Sequence, residues 1–114
     1  MDRCIFCRIA AGEAPADIVL TDDEAVVFRD LHPQAPTHLL VIPRRHVTSL
    51  AHAAPEDEAL LGRLLALAAE AARRCGIAEG GYRVITNSGA GAGQSVFHIH
   101  LHVLGGRRFS WPPG

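Results

Sequence analysis

Asn87-Ser88-Gly89-Ala90-Gly91-Ala92-Gly93-Gln94-Ser95-Val96-Phe97-His98-Ile99-His100-Leu101-His102-Val103-Leu104 joins a glycine-rich loop directly to an alternation of histidine and apolar residues. Side chains alternate faces along a β-strand. A strand running roughly from Val96 to Leu104 therefore places His98, His100 and His102 on one face. Phe97, Ile99, Leu101 and Val103 then point the other way, into a core. Three imidazoles in a row make a poor structural surface, because each loses solvation on partial burial and needs a partner.

Two chemistries use such a row. Histidine is a common zinc ligand, so a catalytic metal is one. Same-face neighbours on a strand are ~6.5–7 Å apart, so the outer two Cα atoms are ~13 Å apart, against a zinc–nitrogen bond of ~2 Å. Two of the three can share an ion; three on a straight strand would strain to do so. The other chemistry is nucleophilic catalysis by one imidazole, with its neighbours setting tautomer and charge. The loop favours the second. Gly89, Gly91 and Gly93 let backbone N–H groups approach an anion with no Cβ in the way. Gln94 and Ser95 add side-chain donors beside the histidines.

Outward from this stretch, residues 82–86 read as a strand leading into the loop. Upstream, residues 55–75 form the clearest helix. Pro55 suits its first turn, acids 56–58 and Arg73-Arg74 complement the two ends of the dipole, and Gly76 is placed to end it. Leu60, Leu61, Leu64, Leu65, Ala68, Ala71, Ala72 and Cys75 make an apolar stripe wide enough for a core and for a second subunit. Residues 38–42 read as a buried strand ended by Pro43, after a loop bracketed by Pro33 and Pro36. Residues 16–21 and 25–29 read as strands joined through Asp22-Asp23-Glu24, and residues 3–11 as a short helix stopped by Gly12. Five short strands and one long helix, without regular alternation, predict an α+β fold with an antiparallel sheet.

The 114 residues suit one domain. A formal net charge of −1 argues against a general nucleic-acid binder. No apolar run approaches the ~20 residues that span a bilayer, and Met1-Asp2-Arg3-Cys4 lacks a secretory signal pattern. A cytoplasmic protein with no membrane partner is the expectation. Three cysteines fit a reduced compartment better than a disulfide framework. Cys4-Ile5-Phe6-Cys7 has the spacing by which two thiolates hold one zinc; two reduced thiols or a redox pair are the alternatives. His52 reads as surface and Cys75 as packing.

The segment NSGAGAGQSVFHIHLHVLGG closely resembles the motif of the histidine triad (HIT) family. DLHPQAPTHLLVIPRRH is similar to it too, and the WPPG terminus resembles the Hint branch, the purine nucleoside phosphoramidases. The likeness runs from about Cys4 to Gly114. It implies a single HIT domain over residues 1–114: a five-stranded antiparallel sheet with one long and one short helix, dimerising into a continuous ten-stranded sheet. It implies hydrolysis of a purine nucleoside 5′-phosphoramidate through a nucleotidyl adduct on His100, with no catalytic cofactor. His102 would contact phosphate oxygens and Ser95 would protonate the leaving amine. His38, a fourth histidine, would support the triad together with His98. Asp30 would hold the ribose hydroxyls, and Asn87 the ribose or phosphate. Backbone around Gly93, Gln94 and Ser95 would stabilise phosphoryl charge, and Phe6, Ile9, Ile18 and Leu31 would wall the base pocket. Some relatives carry a structural zinc, which here would take Cys4, Cys7, His46 and His98. In the homodimer the Trp111 tail would lie near the partner's active site. A dinucleoside polyphosphate hydrolase, a nucleotide-binding scaffold and a zinc hydrolase are the rival functions.

Overall fold

The computed structural model describes residues 3–114; Met1 and Asp2, part of the stretch read for a targeting signal, lie outside the described residues. Five strands form one antiparallel sheet: β1 (Ile18–Thr21), β2 (Ala25–Arg29), β3 (Thr37–Pro43), β4 (Tyr82–Ile85) and β5 (Leu101–Gly105). Their spatial order is β1-β2-β3-β5-β4. The short helix α1 (Ile5–Ala10) and the long helix α2 (Glu58–Arg74) cover opposite faces.

β3 shows why. Its alternate residues Leu39 and Val41 join the core under α2, with Leu64, Leu67, Ala68, Ala71 and Ala72 of the helix. Leu40 and Ile42 join the core under α1, with Phe6, Ile9 and Ala10. A strand buried on both faces reads as a continuous apolar run, and His38 is the one ionisable side chain in it. Each fully buried leucine contributes about 1.5–3 kcal/mol of transfer free energy, so α2 is held firmly against the sheet.

The β1–β2 hairpin closes on Asp22, whose Oδ1 accepts from Glu24 N–H at 2.8 Å and Ala25 N–H at 2.9 Å. Before α2, residues Pro55–Asp57 form a separate 3-10 turn. Asp57 accepts the Ala54 N–H at 2.9 Å and pairs with Arg45. Within α2 the buried stripe is rotated from the expected one: Leu67 is buried and Leu65 faces outward. At 100° per residue, Leu67 lies back over Leu60 and Leu64, whereas Leu65 is turned away from them. After α2, Gly76 at φ 74° carries the chain out of the helix, as a C-terminal glycine should.

The strand expected from Val96 begins only at Leu101. Side chains take the carbonyls a ladder would have used: Gln94 bonds Val96 O, His100 bonds His98 O and Thr86 bonds His100 O. Ile99 donates its N–H to Val47 O at 2.6 Å and enters a third small core with Val47 and Leu60. Phe97, expected inside, is 48% exposed. With no sheet partner on either side, the alternation that would have buried it does not hold.

Candidate active site

All three histidine rings lie on the α1 side of the sheet. Phe6 of α1 meets His98 and His100 edge-on, at centroid separations of 5.9 and 5.1 Å. The His100 and His102 rings are 5.0 Å apart, and His38 and His102 are 5.1 Å apart. His38 on β3 faces Leu104 of β5, and His102 faces Leu40. The two histidines are therefore diagonal neighbours on one face, close enough for side chains to meet.

Hydrogen bonds decide where each proton sits. A backbone carbonyl can only accept. His100 Nδ1, 2.8 Å from His98 O, must therefore carry hydrogen, which leaves the Nε2 lone pair of a neutral His100 free. His38 Nδ1 receives the Gln34 N–H at 3.0 Å, so its hydrogen is on Nε2. That Nε2–H points at His102 Nδ1, 2.9 Å away, with Asp30 Oδ2 at 3.4 Å as a second acceptor. His102 then holds its own hydrogen on Nε2. One ring thus offers a lone pair and its neighbour offers an N–H. That pairing suits attack on an electrophile whose oxygens need a donor.

Burial favours the neutral forms of His102 and His38. Burial, with His100 and His38 nearby, pushes the His102 pKa down to about 4. Burial also lowers that of His38, against the opposing pull of Asp30. Adjacent imidazoles that have lost part of their solvation disfavour charging together.

A cleft of about 830 Å³ opens beside His38 and His102, walled by Thr86, Asn87, Leu104 and Trp111 among others. His100 is buried behind it, and Thr86 Oγ1 donates to His100 O at 2.9 Å, steadying the backbone that carries the ring.

His98 faces elsewhere. Its Nε2 donates to Pro43 O at 2.8 Å, so its Nδ1 lone pair points at the sulfurs of Cys4 (3.3 Å) and Cys7 (3.5 Å). His46 Nδ1 is 3.4 Å from Cys7 Sγ. One ligand atom from each of Cys4, Cys7, His46 and His98 lies within 4.8 Å of all the others. Tetrahedral zinc with bonds of ~2.3 Å to sulfur and ~2.0 Å to nitrogen sets neighbouring S and N ligands ~3.5 Å apart, which the quartet matches. Asp30, His38 and His102 also converge within 4.8 Å. There, however, the 2.9 Å between ring nitrogens is a hydrogen-bond length and shorter than the ~3.3 Å separating two nitrogens on one zinc.

The HIT domain matches residues 11–109. The chain belongs to the HIT family. A HIT-like protein of Synechocystis is 53% identical over 110 residues, 96% of each chain. The crystal structure of a HIT family hydrolase from Legionella pneumophila Philadelphia 1 superposes with a TM-score of 0.96 at 48% identity, covering 98% of this chain and 100% of that one. A Zn-bound histidine triad family protein from Mycobacterium smegmatis has a TM-score of 0.79 at 35% identity, covering 99% of this chain and 81% of that one. These neighbours make this a hydrolase-like HIT protein.

Within this HIT protein the expected site residues separate. His38, His100, His102 and Asn87 converge on the cleft or directly behind it. Asp30 reaches the cluster at His38 Nε2, beside His102, while accepting the His32 N–H. His98, expected among the catalytic group, has both ring nitrogens engaged by Pro43 and the cysteines; what it gives His100 is its backbone carbonyl. Gln94, expected to offer a donor to a ligand, is consumed by the loop. Its Oε1 accepts from Gly89 N–H, and its Nε2 donates to Thr48 O and Val96 O. The amides of Gly93 and Gln94 bond to Ala90 O and Gly89 O, so they too close the loop rather than cradle an anion. Gly93, at φ 94°, is there because that left-handed bend strains any other residue. Ser95 is on the exposed stretch that follows.

Among the expected base-pocket residues, Phe6 and Ile9 are core, whereas Leu31 (86% exposed) and Ile18 (46%) project into solvent. None of the four lines the main cleft. His52, on the surface, bonds Ser49 Oγ, and Cys75 packs against the α2 core. Sequence reading missed Thr86, Gln34 and Pro43. The last two act through backbone atoms, which leave no trace in side-chain identity.

Proposed function

We propose that this protein is a Hint-like nucleoside phosphoramidase. It would hydrolyse purine, AMP-type nucleoside 5′-phosphoramidates through a covalent nucleotidyl-histidine. The observation that carries the reading is the His100 Nδ1 to His98 O hydrogen bond, which puts hydrogen on Nδ1 and so directs the lone pair of the neutral tautomer to Nε2. Nε2 forms a bond to the α-phosphorus, and the phosphorus–nitrogen bond breaks with its electron pair leaving on the amine. Ser95 gives that nitrogen its proton, since an amide anion is a very poor leaving group. Positive charge spreading over the His100 ring is met by the His98 carbonyl, already in place. His102 Nε2–H donates to a phosphoryl oxygen. Water then attacks the phosphorus, the Nε2–phosphorus bond breaks, and the nucleoside monophosphate leaves; a proton from that water restores Ser95. Asp30 and Asn87 would hold the sugar end.

Cys4, Cys7, His46 and His98 would hold a structural zinc, which when bound cross-links α1 to the loop carrying His100; no step runs through it. The exposed Leu65 of α2 and Val84 at the sheet edge would be covered in a homodimer, giving a ten-stranded sheet. In this chain Trp111 lines its own cleft, and in the dimer the tail would stand near the partner's site. No described helix is long and apolar enough to cross a membrane, and a cytoplasmic setting fits three free cysteines.

Mass spectrometry of enzyme quenched while turning over an adenosine 5′-phosphoramidate tests the mechanism. A nucleotide adduct on His100 is the expected result. Turnover without any histidine adduct, or turnover lost on exhaustive chelation while the fold persists, would reject it in favour of direct or metal-assisted hydrolysis.

A further inference from the structure

Arg83 stands on β4 opposite Leu104, one same-face step along from Ile85, which faces His102. Such a step is about 6.6–6.8 Å, within the reach of an arginine. Arg83 lines the same cleft as His38 and His102. It is held from behind: Arg83 donates to Ser110 O and lies 5.2 Å from the centroid of Phe109. Arg107 lies 4.2 Å from the same ring. Arg83, Arg107, Arg108 and Phe109 also wall an adjoining cavity of about 310 Å³.

No Asp or Glu side chain lines either cavity; the terminal residue Gly114 lines the first, and no ion pair joins it to Arg83 among the described residues. Four other arginines find acids: Arg29 pairs with Asp17, Arg45 with Asp57, Arg63 with Asp22 and Arg74 with Glu70, whereas Arg8 and Arg44 bond to backbone carbonyls away from the cleft. Arg83 and Arg107 bond only to backbone carbonyls among the described residues. Two guanidinium groups drawn to one aromatic ring repel each other without a counter-charge, and five fixed N–H donors on each favour a planar or tetrahedral oxyanion.

The geometry points to Arg83, backed by Arg107, as the recognition point for a negatively charged leaving group. It rests on the proposed reaction for the position of the reacting phosphorus. In-line displacement sends the leaving group away from the attacking nitrogen. His100 is packed against Phe6 on its inner side, so the departing group leaves through the open cleft, past His102 toward Arg83. The shared chemistry is an oxyanion, either the carboxylate of an amine leaving group or a phosphate directly attached to the α-phosphorus.

Two arms separate these sources. The first compares kcat/KM for adenosine 5′-phosphoramidates of two matched amines, one ending in a carboxylate and the other in a carboxamide. Wild type is expected to prefer the carboxylate about tenfold, as a partly exposed charge-assisted hydrogen bond would give. Arg83→Gln should bring the ratio to about one, and Arg83→Lys should keep most of it, which a folding defect would not reproduce. The second arm measures ADP against AMP by calorimetry, the β-phosphate standing in for the leaving group. An ADP preference lost in Arg83→Gln supports the phosphate source, and does so even if wild type turns over neither amide, in which case the phosphoramidase reading falls and the anion site stands. A preference in either arm that survives Arg83→Gln, or no preference in wild type in both arms, overturns the proposal.

Discussion

His98 and His100 are two residues apart, and each donates one ring N–H to a backbone carbonyl. Their free lone pairs nevertheless serve opposite ends. The His98 lone pair is aimed inward at two sulfurs and joins a closed quartet with His46. The His100 lone pair is left behind a cleft, beside a neighbour that offers hydrogen instead of accepting it. Which nitrogen donates makes the difference: Nε2 in His98 and Nδ1 in His100. One imidazole chemistry suits a ligand where lone pairs converge, and the proposed nucleophile where a lone pair stands alone.

The largest effect should come from deleting the lone pair that stands alone on His100. His100→Ala is expected to lower kcat on a nucleoside phosphoramidate by about 10³-fold or more, while nucleotide binding by calorimetry survives. Residual activity within tenfold of wild type would erase the distinction between the two histidines.

Removing the converging lone pairs should instead cost stability. If the quartet binds zinc at a thousandfold excess over its Kd, chelation removes about 4 kcal/mol. That loss would be read as a lower denaturant midpoint, with metal analysis showing one zinc per chain beforehand. Cys7→Ser should reproduce the shift and abolish the bound zinc. A chain that purifies without zinc and is indifferent to chelation would make the quartet a set of reduced thiols.

Acid provides a smaller test. The folded His102 takes its proton only near pH 4, whereas an unfolded histidine does so near 6.5. Stability from this group is therefore full above pH 6.5 and is lost as the pH falls from there through about 4, because the unfolded chain binds the proton first. Chemical denaturation at several pH values should show this decline, and His102→Asn should flatten part of it. An unchanged slope in that variant would place the acid sensitivity with other groups.

The smallest effect concerns the backbone under His100. Thr86→Val removes the hydroxyl that bonds His100 O, and about 1 kcal/mol of stability should go with it. A kcat loss larger than that of the equilibrium stability would show that the hydroxyl also orients the nucleophile.

Much of this was legible from residue order. β2 and β3 could be read because apolar runs bounded by Asp, Gly and Pro are local signals. The Cys4-x-x-Cys7 pair was visible for the same reason. The loop was read less well. Gln94 and the amides beside it look like ligand donors in sequence, but the loop's own carbonyls and Thr48 O use them first. Phe97 misled because alternation predicts burial only where a strand has neighbours.

By itself, the order of residues determined an antiparallel α+β sheet and three imidazoles grouped beside a glycine loop. It also identified a thiol pair and the histidines suited to join it. Only the tertiary structure decided which nitrogen of each ring holds hydrogen. Those protons are set by Pro43 O against His98, by Gln34 N–H against His38, and by His38 against His102. The first and last of these partners are 55 and 64 positions apart in the chain. A hydrogen bond is directional over about 3 Å, and no local pattern specifies which distant atom will be brought that close.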